Sequence, residues 1–235
     1  MSDPVTYTAL SWDDTGDRLY ETGVDHGVLY LIDQNGDYST GVAWNGLSTV
    51  TETPSGAEAT NIYADNIKYL ELRSLEEFGG TIEAYTYPDE FAECDGSVAL
   101  ISGLYAGQQP RKPFGFSFRS RIGNDIDKEE HGYKLHLIYG AMASPSERSY
   151  ATINDSPEAI TFSWEFTTTP VSLAGHKPVS CLTIDSTKVD STKLKNLEDK
   201  LYGVSTTTGT NAVAGSAAYL PLPAEVISTL SGSNL

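Results

Sequence analysis

Alternation of apolar and polar residues with a period of two runs through most of this chain, and it confines the fold to strands. The segments "VTYTALSW" (5–12), "GVLYLID" (27–33), "GLSTVTE" (46–52), "NIYADNIKYLELRS" (61–74), "GTIEAYTY" (80–87), "PFGFSFRSRI" (113–122), "YKLHLIYGAM" (133–142), "EAITFSWEFTT" (158–168) and "PVSCLTID" (178–185) all carry it. Breakers stand between them: Asn35-Gly36, Asn45-Gly46, Pro54-Ser55-Gly56 and Gly123-Asn124-Asp125. Asn-Gly suits a tight hairpin, whose central residues take positive φ. The pattern predicts a mainly β chain, a sandwich or barrel.

Helix is scarce. "DSTKLKNLEDKLYG" (190–203) is the clear case, with Asp190 as cap, one stripe of Leu194, Leu197 and Leu201, and Gly203 as the stop. "PAEVISTL" (223–230) reads as a short terminal helix, and "PDEFAECDG" (88–96) as one or two turns opened by Pro88. Acids near the positive end of that short dipole account for Asp89, Glu90, Glu93 and Asp95 without catalysis. The small-residue stretch 203–223 reads as a loop or arm.

Each strand can bury one face and leave the other wet. In "TIEAYTY", Ile82 and Ala84 oppose Thr81, Glu83 and Tyr85. In "TFSWEFT", Phe162, Trp164 and Phe166 oppose Ser163, Glu165 and Thr167. In "YLELRS", Leu70 and Leu72 oppose Glu71 and Arg73. Glu71, Glu83 and Glu165 are therefore expected to face solvent or a partner.

Charge narrows the partners. The formal net is −17 in 235 residues, and residues 1–100 hold 19 Asp/Glu against only Arg18, Lys68 and Arg73. Such a chain repels nucleic acid and anionic membrane. There is no Gly-x-Ser-x-Gly elbow and no phosphate loop. His26, His131, His136 and His176 form no metal motif. "DQNGD" (33–37) has alternating oxygen ligands as in a calcium loop, but Tyr38 and Trp44 stand where glycine and glutamate are needed. Cys94 and Cys181 make no disulfide framework and are expected as free thiols in a reducing compartment. The N-terminal residues lack a signal peptide's basic and apolar regions, and no apolar run reaches the roughly 20 residues of a membrane helix. The residues suggest neither an enzyme nor a cofactor. Tyrosine and tryptophan content leaves a carbohydrate-binding sandwich module as the alternative class.

Three long runs carry a resemblance: "GVAWNGLSTVTETPSGAEATNIYADNIKYLELRSLEEFGGTIEAYTYPDEFAECDG", "HGYKLHLIYGAMASPSERSYATINDSPEAITFSWEFTTTPV" and "LTIDSTKVDSTKLKNLEDKLYG". Together they resemble the major tail protein, or tail tube protein, of long-tailed bacteriophages with non-contractile tails, over roughly residues 20–230. The resemblance implies a tail-tube-type β-sandwich or barrel, one flanking helix (about 190–202), and long loops or arms. It implies a homo-oligomer of stacked, usually hexameric rings in the virion, assembled in the host cytoplasm with tape measure and tail terminator or completion proteins. By the same resemblance DNA is expected to pass through the bore without specific binding, with no cofactor, enzymatic activity or membrane insertion, and a receptor-binding accessory protein of a virion is the alternative within that setting. Within a single domain (1–235), an N-terminal arm (about 1–20), an inter-subunit hairpin (about 33–60) and a flexible stretch (about 203–220) ordered by neighbours are expected. Glu71, Glu83 and Glu165 are the candidates for the lumen, and the acids at 89–95 belong to a capped turn at a subunit edge.

Overall fold

β-branched and aromatic side chains at every second position suit a pleated surface with one face covered, and the longest such runs form the main sheet. The computed structural model describes residues 9–153, 155, 159–207 and 214–232. Eight antiparallel strands make the sheet. Its hydrogen-bonded path is β2 (Thr40–Trp44), β1 (Tyr20–Leu31), β11 (Phe114–Asn124), β12 (Lys128–Ala143), β13 (Phe162–Thr168), β8 (Gly79–Ala84) and β3 (Leu47–Glu52). β14 (Cys181–Asp185) pairs with β12 next to β13. Three small ladders stand apart: β4 (Ser55–Gly56) with β7 (Glu76–Glu77), β5 (Ala59–Ala64) with β6 (Ile67–Arg73), and β9 (Val98–Ile101) with β10 (Leu104–Ala106). The chain is mainly β, with two helices, α1 (Ser191–Tyr202) and α2 (Pro223–Ser231).

β12 changes partner along its length. Residues 134–138 pair with β14, and 141–143 with β13. Gly140 lies between them at φ +59°, where a Cβ would stand 2.3 Å from the Thr169 carbonyl oxygen. Only glycine lets the strand turn there. The sheet curls as a result, although its end strands β2 and β3 are not paired and no barrel closes.

Two cores follow from the curl. Inside it, Trp44, Phe91, Phe114, Phe116, Ile82, Ile138, Trp164 and Phe166 pack together. The Trp44 ring lies 4.6 Å from Phe91 and 5.5 Å from both Phe116 and Trp164, and its indole N–H donates to the Thr86 carbonyl (2.9 Å). On the outer face, Tyr30, Leu135, Leu137 and Tyr139 meet Leu194, Leu197 and Leu201 of α1 and Val226 of α2. Asp190 caps α1, its carboxylate accepting from the amides of Thr192 (3.0 Å) and Lys193 (3.1 Å). Gly203 ends the helix at φ +75°.

Several expectations need correction. Residues 1–8 lie outside the described residues, and Ala9–Trp12 form no strand, with Leu10 and Trp12 exposed. Of the N-terminal arm, Gly16 is tied back to the chain, its amide donating to Asp125 Oδ1 (3.0 Å). Asn45-Gly46 is not a hairpin turn but a corner, since β2 pairs with β1 and β3 with β8. "NIYADNIKYLELRS" is not one strand, because Asp65 (φ +51°) and Asn66 (φ +63°) fold it into β5 and β6. Residues 208–213 of the small-residue stretch lie outside the described residues. Its flanks lie against the sheet: Val204 bridges to Ser216, Tyr38 bridges to Leu220, and Leu220 is buried.

Candidate assembly surfaces

Glu83 and Glu165 are brought together by strand register. Glu83 pairs with Ser163 and Thr49, and Glu165 with Thr81, which in turn faces Thr51. Side chains directly opposite in a ladder share a face, so both glutamates lie on one hydroxyl-rich surface of β3, β8 and β13. They are diagonal neighbours, a separation of roughly 7–8 Å in an antiparallel pair. The other face of the same strands carries Val50, Ile82, Trp164 and Phe166, packed in the inner core. Turning either glutamate inward would put a charge among aromatics, which fixes the orientation. Glu165 is exposed and Glu83 half-buried.

Glu71 lies elsewhere. It sits on β6, outside the main sheet, bound to Lys68 and to Arg73 (2.8 Å). Those two hydrogen bonds hold its carboxyl below its ordinary value. The three expected lumen glutamates therefore occupy two surfaces. Tertiary pairing separates them, and period-two alternation cannot report it.

The β5–β6 hairpin exposes a run of apolar side chains. Register places Ile62 opposite Leu70 and Thr60 opposite Leu72 on one face, with Asn61 and Glu71 on the other. All seven residues of β6 are exposed, Leu72 at 54% and Tyr69 at 66%. Beyond them Leu75 is 80% exposed. A lone two-stranded hairpin is marginal in water, and its open edges invite another strand. The expected inter-subunit hairpin at 33–60 thus overlaps this one only in part. Residues 40–44 and 47–52 belong to the main sheet, and the projecting hairpin runs from Ser55 to Glu77. Its turn signal was present in Asp65-Asn66, two residues that tolerate positive φ better than most.

A second, smaller hairpin, β9–β10, exposes Leu100, Ile101, Leu104 and Tyr105. No sequence segment flagged it as strand. "SVALISGLYAG" is too short and too uniformly apolar to alternate, and only Ser102-Gly103 marks its turn.

The acids at 89–95 make a short 3-10 turn, Asp89–Glu93, seated by the buried Phe91. Glu93 pairs with Lys112, and Asp95 holds both Arg111 (3.3 Å) and Arg148. Arg148 lies over the Tyr87 ring at 5.4 Å. Asp95 thereby ties the 144–153 segment to the turn, and beside them lies a cavity of only about 160 Å³. A wider groove of about 520 Å³ runs between α1 and β12, lined by mixed charges including Arg121, Glu129, Lys195 and Glu198.

Cys94 and Cys181 are free thiols, Cys94 buried and Cys181 half-buried. Burial pushes Cys94 up to about 12 and Cys181 up to about 11, which keeps both thiols protonated at neutral pH. Among the described residues no group of three or more His, Cys, Asp or Glu is arranged to hold a metal, and no helix is long and apolar enough to cross a membrane. Two of the three tryptophans, Trp44 and Trp164, are spent in the core, which weakens the aromatic hint of a carbohydrate platform. No protein-family model matches the chain, and a search of curated proteins finds no match either.

Proposed function

We propose that the chain is a structural subunit that assembles with copies of itself into stacked rings, a tail tube of the kind its sequence resembles. The β5–β6 hairpin carries this reading. It exposes Ile62, Leu70, Leu72 and Leu75, stands outside the main sheet as a ladder of its own, and contributes to neither buried core among the described residues. A patch that fits a different surface on an identical copy makes a head-to-tail contact, which propagates as a ring or a filament. The hydroxyl and carboxylate face of β3, β8 and β13 supplies a second, wet surface suited to a bore. Lined by Glu83 and Glu165, it would repel phosphate and let a duplex slide. Tape measure and terminator or completion proteins are the further partners of this reading, and no cofactor or chemistry is assigned.

Negative-stain microscopy and sedimentation of purified protein test it. Rings or tubes are expected for the native chain, and a Leu70→Asp/Leu72→Asp pair should leave monomers with an unchanged circular dichroism spectrum. Native protein that stays monomeric at every concentration, or a double variant that assembles normally, would overturn the proposal.

A further inference from the structure

The smaller hairpin has the same unfinished character as the larger one. β9 and β10 pair with each other and with no other strand. Backbone bonds tie down only its foot, where the Ser97 amide donates to the Ala92 carbonyl (2.7 Å) and the Gln109 amide to the Gly96 carbonyl (2.9 Å). At the turn Gly103 takes φ +82°, and nothing lies within 4 Å of where its Cβ would stand. Residues 97–107 contribute to neither core, and Leu100, Ile101 and Leu104 are each at least half exposed. Clustered exposure of this kind, unlike a single surface leucine, marks a contact site.

Charge selects the occupant. The projecting hairpin, residues 55–77, holds Glu58, Asp65, Glu71, Glu76 and Glu77 against Lys68 and Arg73. Packed on its own twin it would set like charge against like charge, which opposes that pairing. Other exposed apolar residues stand beside acids. Leu10 and Trp12 run into Asp13 and Asp14, and Leu222 and Ile227 flank Glu225.

Residues 97–110 carry no charged side chain at all. At their foot Glu93 pairs with Lys112, and Asp95 with Arg111 and Arg148. Of that turn's acids only Asp89 and Glu90 lack a cationic partner among the described residues. An acidic hairpin can bury its leucines on β9–β10 without setting carboxylate against carboxylate along the contact.

We propose that, within the self-assembly on which this inference rests, the β5–β6 hairpin of one copy docks on the β9–β10 hairpin of the next. Ile62, Leu70 and Leu72 then leave water against Leu100, Ile101 and Leu104. The two surfaces differ and lie on one chain, so every copy offers one and accepts the other. Such a contact runs head to tail.

Sedimentation and native mass spectrometry of mixed variants test it. Leu100→Asp/Leu104→Asp should stop assembly as completely as Leu70→Asp/Leu72→Asp, with circular dichroism unchanged. Mixed in equal amounts, the two variants retain one intact hairpin of each kind between them. They should form one-to-one pairs and nothing larger. If the native chain assembles but so does Leu100→Asp/Leu104→Asp, or the mixture stays monomeric, this contact is overturned and self-assembly stands. A native chain that stays monomeric overturns both. Should the variant fail to fold, hydrogen exchange on native assemblies decides. Amides of 98–106 should slow about tenfold on assembly together with those of 59–73, and protection at 59–73 alone overturns the contact.

Discussion

Individual side chains here are set mostly by what they face across the curl. His136 on β12 stacks on Phe118 (4.4 Å, 2° between planes), shares a hydrogen bond between its Nε2 and Ser120 Oγ (2.9 Å), and turns Nδ1 toward Glu52 of β3. At 3.5 Å that last contact is electrostatic and not a hydrogen bond. The neighbouring His136 holds the Glu52 carboxyl below its ordinary value against the opposing effect of burial. A lowered carboxyl stabilises the fold above its unfolded value, and the contribution disappears as pH falls through the folded one. Glu52→Gln should therefore cost up to about 1 kcal/mol at pH 7 and progressively less as pH falls, a trend readable by urea denaturation across an acid series. Cys94 gives a second residue-scale prediction. Its buried, uncharged thiol should resist iodoacetamide in the native state at pH 8 and react only on unfolding, as mass spectrometry would show.

At the scale of elements, helices and hairpins differ in what sustains them. α1 is held by its buried stripe, so Leu197→Ala should cost about 2–5 kcal/mol in global stability. Asp190→Ala should cost about 0.5–2 kcal/mol through the lost cap. Both are visible in a thermal melt. The β5–β6 hairpin joins neither core among the described residues, and its turn residues should act locally. Asn66→Val forces a β-branched side chain into positive φ at a cost of about 1–2 kcal/mol. That loss should appear as faster amide exchange in residues 59–73 with little change in the global melting temperature. A large global shift would mean that the hairpin is part of the cooperative core.

The whole molecule divides into an interior that fixes the fold and outward faces that the fold does not use. Trp44 joins β2 to the inner core from the corner where the chain crosses between the two ends of the sheet path. Trp44→Ala removes its ring contacts and the bond to Thr86, a loss of about 3–5 kcal/mol. That is a large share of the roughly 5–15 kcal/mol that holds a domain together, so the variant should unfold at markedly lower denaturant. The outward glutamates behave oppositely. Glu83→Lys/Glu165→Lys should leave the melt nearly unchanged, since both point away from the core. If the proposed tube forms, the pair should slow DNA passage by drawing phosphates to the wall, and ejection at the native rate would count against this face lining a bore.

Sequence by itself determined what depends on nearest neighbours. Period-two alternation gave most main-sheet strands and the two faces of β8 and β13, and Asp190, the leucine stripe and Gly203 marked α1. These signals act over a few residues and are written there. Whether a wet face stays wet, and beside what, is decided by partners far away in the chain. Glu71, Glu83 and Glu165 look alike in sequence, yet Glu83 and Glu165 meet through the pairing of β8 with β13, while Glu71 lies on a hairpin that touches no core. Leu70 and Leu72 show the same limit, since alternation marks them as buried and yet both are exposed and join neither core among the described residues. Asn45-Gly46 likewise permits a tight turn without choosing its strands, and the curl of the sheet sends β2 and β3 to opposite ends. Long-range pairing made those choices, because burial belongs to the surface that a side chain meets and not to the side chain alone.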